Sequence, residues 1–302
     1  MMMLPAPYSE RLLHNEPLAR YTAARLGGAA DALYVARESV DELATVMQAA
    51  WSQGVPVRVL GGGANVLISD AGFRGLVVIN DVNEIHFGNW HDSRNVAAAA
   101  GVGLTVLARK CQSRGLSGLE WAASVPGTVG GAVVNNAGAH GSDIAANLIE
   151  TVVLDERRGA VILSRDELAY GYRTSALKGQ TQRRFVVLLA QFALTADDPV
   201  AILGRMESFI AHRKQTQPPG ASLGSIFKNP PGNYAGRLIE QCGLKGYRIG
   251  GAEISTVHAN FFINTGGATA RDYLALIRHA QERVLAQQGV ELEMEVELVG
   301  VW

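Results

Sequence analysis

Apolar positions along the chain recur at two spacings, and the switches between them mark out the elements. Residues 32–36 form a short apolar run that predicts a strand. Val40, Leu43, Val46, Met47 and Ala50 then recur at helical spacing, with Ser39 as the cap, Glu42 as the second half of a capping box and Gly54 as the stop. Strands are predicted at 57–60 and 76–79, the first running straight into Gly61-Gly62-Gly63-Ala64-Asn65. Leu104, Leu107, Ala108 and Cys111 give a second helical stripe that ends near Gly115. Strands are predicted at 151–154 and 185–194, with Ser164 and Glu167 as another capping box between them. Asp198-Pro199 opens a helix whose buried face is Ile202, Leu203, Met206, Phe209 and Ile210, closed by His212, Arg213 and Lys214. Beyond Pro218-Pro219-Gly220, the strongest candidate boundary, come a helix at 235–242, a strand at 260–264 and a helix at 271–288 capped by Thr269. The last segment alternates strictly. Val290, Leu292, Met294, Val296 and Leu298 share one face and Glu291, Glu293, Glu295 and Glu297 the other, which predicts a half-buried strand. No internal repeat is visible.

Composition narrows the class. At 48% hydrophobic and 18% charged, the 302 residues are no disordered chain. Lys plus Arg number 27 and Asp plus Glu 28, so there is no basic excess to grip a long nucleic acid. Cys111 and Cys242 are too far apart for a metal-type spacing, no other ligand cluster suggests a metal, and free thiols in a reducing compartment are expected. Residues 1–10 lack a basic-then-apolar pattern, and the longest apolar run, 96–108, is too short to span a membrane. The expectation is a cytoplasmic protein. Glycine is in excess, 34 residues or about 11% against a usual 7%, which points to tight turns and close backbone approach to a ligand.

Two glycine-rich loops give that ligand a place. Gly61, Gly62 and Gly63 after a buried strand can turn consecutive N–H groups into one phosphate-binding concavity. The dinucleotide fingerprint G-x-G-x-x-G fails here, because Val66 replaces the last glycine and no long helix comes after it. A second loop, Pro126-Gly127-Thr128-Val129-Gly130-Gly131, lies in a charge-poor stretch with Asn135, Asn136 and Gly138 close behind. Either loop alone reads as a plain turn; together they suit a long, two-ended ligand such as a dinucleotide.

With these loops, the blocks 26–29, 171–178, 224–230, 243–246, 250–252, 258–264 and 292–300 come in an order that resembles the UDP-N-acetylenolpyruvoylglucosamine reductase (UDP-N-acetylmuramate dehydrogenase) family, over about residues 25–300. The resemblance implies an α+β chain: a two-lobed FAD-binding domain of the vanillyl-alcohol-oxidase (PCMH) type over 1–210, with sub-lobes of about 1–75 and 76–210, and a smaller α+β substrate-binding domain over 211–292. The C-terminal strand, 293–302, is expected to return to the first domain. Non-covalent FAD is expected at Gly61, Gly62, Gly63, Ala64, Asn65, Ser124, Pro126, Gly127, Thr128, Gly131 and Gly138. Ala64 departs from the family's usual serine, so a hydroxyl contact to the pyrophosphate is missing.

The implied reaction uses NADPH and reduces the enolpyruvyl ether of UDP-N-acetylglucosamine, with hydride passing from reduced FAD to the methylene carbon. Arg173 and Glu295 would stabilise the resulting enolate, Glu295 as an acid donating a hydrogen bond, and Ser225 would protonate it. The alternating pattern alone cannot choose among the four glutamates. Tyr172, Asn229, Lys245 and His258 would contact the substrate. The 52 positions from Arg173 to Ser225 leave room for one strand and one helix, which resembles the shorter subclass without an inserted tyrosine loop. A monomer acting on a small molecule, with no nucleic acid or membrane partner, is expected. Two alternatives stay open: an FAD-dependent sugar or alcohol oxidase of the same fold, and a non-catalytic nucleotide-sugar-binding protein. The first often links FAD to a histidine near the first loop, and none of His14, His86, His91 or His140 lies inside 61–65.

Overall fold

The structure is a computed structural model that describes residues 4–88, 92–180 and 182–302. His91 and the first three residues of the N-terminal segment lie outside the described residues. The chain divides into two compact units. One contains the described residues up to Leu13, Ala32–Gly62 and Gly75–His212; the other contains His14–Asp31, Gly63–Arg74 and Arg213–Trp302. Segments 14–31 and 63–74 thus cluster with the C-terminal part, where the sequence-based division assigns them to a first domain over 1–210, and residues 293–302 stay with 213–292 in the same unit. Pro218-Pro219-Gly220 marks a turn within the second unit. A composition break reports one local chain exit and is blind to repeated crossings.

In the first unit, residues 32–36, 75–80 and 57–60 form adjacent strands with 75–80 in the middle, and Val57–Leu60 runs parallel to it, Val57 opposite Leu76. Helix Val40–Ser52 is capped by Ser39, which accepts from the Glu42 N–H. The reciprocal half of the predicted box is absent: the Glu42 carboxylate turns inward and accepts from the amides of Arg37 and Glu38 instead. A five-stranded antiparallel sheet comes next, in the order Gly159–Ser164, Leu148–Asp155, Phe185–Ala193, Asn95–Ala99, Ile85–Phe87. Its central strand, Phe185–Ala193, is nearly continuously apolar because both its faces are covered. The edge strand Gly159–Ser164 leaves Ile162 62% exposed, which hides it in the sequence. Ser164 and Glu167 do exchange capping bonds, but they close a turn with no helix behind it. Helix Pro199–Thr216 starts at the Asp198 carboxylate as expected, yet of its predicted face only Ile202 and Met206 are buried and Leu203 is exposed.

The second unit has an antiparallel sheet in the order Ala221–Ser225, Phe261–Asn264, Ala252–Ile254, Arg248–Ile249. Helices Ala235–Gln241 and Ala270–Gln288 complete a core that includes Phe227, Phe262 and Tyr273. Thr269 and Asp272 form a full capping box, and Asp70, two hundred positions away in sequence, accepts from the N–H groups of Ala270 and Arg271. The C-terminal segment corrects the predicted long strand. Only Glu297–Val299 is a strand, parallel to Val66–Ile68, and Met294 makes an isolated bridge to Phe227. The segment changes partners midway: the Glu293 carbonyl and Glu295 N–H pair with Lys228 and Ile226, and then the Glu297 N–H pairs with Asn65. One ladder cannot run through such a change.

Cys111 and Cys242 are free and buried, and burial pushes the Cys111 thiol up to about 12. Among the described residues, no helix is long and apolar enough to cross a membrane, and no cluster of three His, Cys, Asp or Glu side chains could hold a metal ion.

Candidate functional site

The first unit brings the two glycine loops against each other. A Cβ on Gly61 would stand 2.1 Å from Thr128 Oγ1, and one on Gly62 would stand 3.2 Å from the Gly127 Cα. Side chains at either position would push the loops apart. The second loop is fixed by the Leu104 N–H on the Gly127 carbonyl (3.1 Å) and the Val129 N–H on that of Val102 (2.9 Å). Thr128 then stands at the N-cap of helix Val129–Asn135, a short element inside the stretch that the sequence presents as loop. Gly127, at φ +114°, has open space where a Cβ would sit. Ser124 Oγ is buried just before this loop with no hydrogen-bond partner among the described residues. Buried hydroxyls are nearly always bonded, so this one fits a polar ligand. Backbone amides, a bare glycine face and a waiting hydroxyl suit FAD as the resemblance implies it. Pro126 lies exposed in the same loop, Gly131 is exposed in the first turn of the helix, and Gly138 is half-buried beyond it.

In the second unit the first loop continues. Gly63 has φ +58°, and a Cβ there would stand 2.0 Å from the Tyr21 carbonyl oxygen, so glycine is required. Half-buried Ala64 is next, without a hydroxyl. The Asn65 amide donates to the Glu295 carbonyl (3.1 Å), and the Glu295 N–H donates to the carbonyl of Ile226 (2.8 Å), the residue after Ser225. One hydrogen-bond network therefore ties Asn65 and Glu295 to Ile226, the neighbour of Ser225. It divides the four glutamates into two pairs: Glu291 and Glu293 are exposed, with Glu293 paired to Lys228 at 2.6 Å, whereas Glu295 and Glu297 are both half-buried. Asn260, 3% exposed, completes the network. Its side chain accepts from the Phe227 N–H and donates to the Phe227 carbonyl (2.9 and 2.8 Å), and its carbonyl accepts from Ile226.

A cavity of about 320 Å³ opens beside this network, lined by Ser225, Asn229, Tyr234, Arg237, Glu240 and His258 among others. Asn229 Oδ1 accepts the first free N–H of helix Ala235–Gln241 (3.1 Å). Lys245 is not a lining residue; its Nζ pairs with Glu240 at 2.7 Å, so it reaches the cavity wall through that carboxylate. His258 Nδ1 accepts from the Asn260 N–H at 3.2 Å, which leaves the other ring nitrogen to carry the proton.

Burial, aided by Lys245 and opposed by Glu240, holds the His258 imidazole below its usual value. The unfolded chain then binds the His258 proton more tightly than the folded one. The stability this group contributes is complete above about pH 6.5 and is lost as pH falls below that value. We expect His258→Gln to flatten the melting temperature between about pH 5 and 7, measured by thermal scans across that range. An unchanged slope would remove His258 as its source.

Arg173 belongs to the first unit. It lies in the turn Gly171 to Thr174 with φ +56°. Its Nη2 donates to the Gly138 carbonyl at 2.6 Å and its Nη1 more loosely to that of Asn136 at 3.4 Å, while Lys178 Nζ donates to the Arg173 carbonyl. Tyr172 is 56% exposed, with its ring centroid 5.5 Å from the guanidinium carbon. Sequence reasoning misses Asn136, Asp143 and Asn260 as supporting residues. Their signal is a short amide or carboxylate inside an apolar or glycine-rich run, which becomes informative only once burial is known.

Two family profiles match the chain. One described as FAD binding domain covers residues 32–163, and one described as UDP-N-acetylenolpyruvoylglucosamine reductase, C-terminal domain, covers residues 215–299. The UDP-N-acetylenolpyruvoylglucosamine reductase of Rubrobacter xylanophilus is 46% identical, over 95% of this chain and 94% of its own. That of Bacillus subtilis is 40% identical, over 96% and 94%. The crystal structure of the Thermus caldophilus enzyme of that name superposes with a TM-score of 0.80 at 34% identity, covering 94% of this chain and 98% of the other.

Proposed function

Because the chain belongs to the UDP-N-acetylenolpyruvoylglucosamine reductase family, an FAD-domain oxidoreductase family acting on a nucleotide-sugar, we propose that it uses NADPH to reduce the enolpyruvyl ether of UDP-N-acetylglucosamine to UDP-N-acetylmuramate for peptidoglycan. Residues 61–65, Ser124, 126–128, Gly131 and Gly138 would hold FAD, which when bound would supply the hydride for the methylene carbon. The chain's own residues manage the negative charge that hydride addition creates. The electron pair displaced from the double bond settles on the neighbouring carbon and its carboxylate as an enolate. The planar guanidinium of Arg173 can grip that carboxylate with two parallel bonds. Glu295 is its partner at the developing charge. Ser225 gives its hydroxyl proton to the carbon and recovers one from water; a serine is a weak acid, but the enolate is a far stronger base. Asn229, His258 and Tyr172 orient the nucleotide-sugar, and Lys245 acts through Glu240.

The observation that carries this reading is the single network joining Asn65, Glu295 and the Ser225 turn beside the 320 Å³ cavity. NADPH and the nucleotide-sugar would take turns at one place, which gives ping-pong kinetics. The test is anaerobic. NADPH is expected to bleach the yellow protein, and the enolpyruvyl nucleotide is expected to restore its colour. Intersecting lines in a two-substrate initial-rate study, or a reduced protein indifferent to the nucleotide, would overturn the proposal.

A further inference from the structure

We infer that Asn136, backed by Asp143, is a positioning residue that sets the direction of the Arg173 guanidinium; the inference rests on the carboxylate-binding role proposed for Arg173. Asn136 ends helix Val129–Asn135 in the left-handed conformation, φ +45°, and is 3% exposed. Glycine is the usual residue at such a helix end, and asparagine is tolerated there because its side chain is short and polar. A buried amide is unfavourable unless it is bonded. Here every part of it is used. Nδ2 donates to Asp143 Oδ2 (3.1 Å) and to the Gly171 carbonyl (3.0 Å), and Oδ1 accepts from the Ala145 N–H (3.1 Å). Asp143 is itself fixed, because its Oδ1 accepts from the Ala146 N–H at 3.2 Å.

These bonds bear on Arg173 from both ends. Through Gly171, the amide holds the root of the turn that carries the arginine. Through its own carbonyl and that of Gly138, two residues on, the same stretch of backbone receives the guanidinium. Gly138 is in turn paired with Asp143 across a two-residue ladder. A glycine at 136 would keep the backbone turn and lose only the amide, so conformation and positioning can be separated by experiment.

The test compares Asn136→Gly in the wild-type and the Arg173→Ala backgrounds. The readouts are the rate at which the enolpyruvyl nucleotide re-oxidises the reduced protein, the rate of its reduction by NADPH, and hydrogen exchange at the Thr174 amide. In the wild-type background we expect re-oxidation to slow by about 10–100-fold, as for a displaced catalytic group, with faster exchange at Thr174 and reduction by NADPH little changed. In the Arg173→Ala background the added change is expected to slow re-oxidation no further, because residues acting as a unit are not additive. Equal slowing in both backgrounds, or none in the first, overturns the inference. Arg173→Ala protein re-oxidised at the wild-type rate overturns the role of Arg173 itself, and is recognised without any change at Asn136. Asp143→Ala repeats the comparison should the glycine variant fold poorly, with a smaller effect in the same direction expected.

Discussion

Arg173→Ala is expected to slow delivery of reducing equivalents to the enolpyruvyl nucleotide by about 10²–10³-fold, the range seen when one preorganised donor at a developing oxyanion is removed, or about 2.7–4 kcal/mol. Reduction by NADPH is expected to stay within about twofold of wild type, because the arginine acts on a charge that appears only in the second half-reaction. Rapid mixing resolves the two steps. The expectation rests on placement as well as charge. A long side chain with φ +56° is held against its conformational preference, and such strain persists only where the surroundings over-determine it. Here the turn Gly171 to Thr174, Lys178 and the carbonyls of Asn136 and Gly138 do so. Arg173→Lys keeps the charge but loses the planar fork, and is expected to recover only part of the rate. Wild-type re-oxidation by the alanine variant would dismiss the assignment.

Single elements of this chain are written locally and its architecture is not. The strand at 57–60, the helix stripe from Val40 to Ala50 and the helix capped by Thr269 are legible because burial on one face imposes a period on consecutive residues. The failures have one kind of cause. Gly159–Ser164 is a sheet edge that carries the apolar Ile162 on its exposed side, and the 290–298 segment changes partners midway, so in both the surroundings of the strand break the link between sequence alternation and strand pairing. The interleaving of 14–31 and 63–74 with the C-terminal unit depends on long-range pairing such as Glu297 with Val66, for which no local signal exists. The same holds at the site. Glycine loops and the Arg173 block can be read in order along the chain. The alternating pattern treats the four glutamates alike; the Asn65 and Ile226 contacts that hold Glu295, like the bonds that burial forces on Asn136 and Asn260, come only with the fold.

The same coupling of burial to bonding makes Glu42 a sensitive structural position outside the site. Only 2% exposed, it accepts from the Tyr34 hydroxyl (2.5 Å), from Arg11 (2.6 Å) and from the amides of Arg37 and Glu38 (2.9 and 2.6 Å). Burial alone would raise its carboxyl, but the Tyr34 bond and the two amides outweigh that and, with Arg11, hold it below the usual carboxylate range. Glu42→Ala is expected to destabilise the first unit by about 3–5 kcal/mol, because its partners lose their acceptor while the tyrosine hydroxyl stays out of reach of water. Thermal or urea unfolding measures this, with a fall in melting temperature of about 10 °C. Tyr34→Phe in the same chain is expected to recover part of the loss, since it deletes the stranded hydroxyl, whereas removing Arg11 should recover less because that side chain is 30% exposed and can rehydrate. The depressed carboxyl also fixes the sign of the acid response. Its contribution is present above the unfolded value of about 4.3 and disappears as pH falls through the folded one, so the alanine variant should lose less stability than wild type on acidification below about pH 4. A Glu42→Ala protein within about 1 kcal/mol of wild type would mean that these bonds are no stronger than the water they replace.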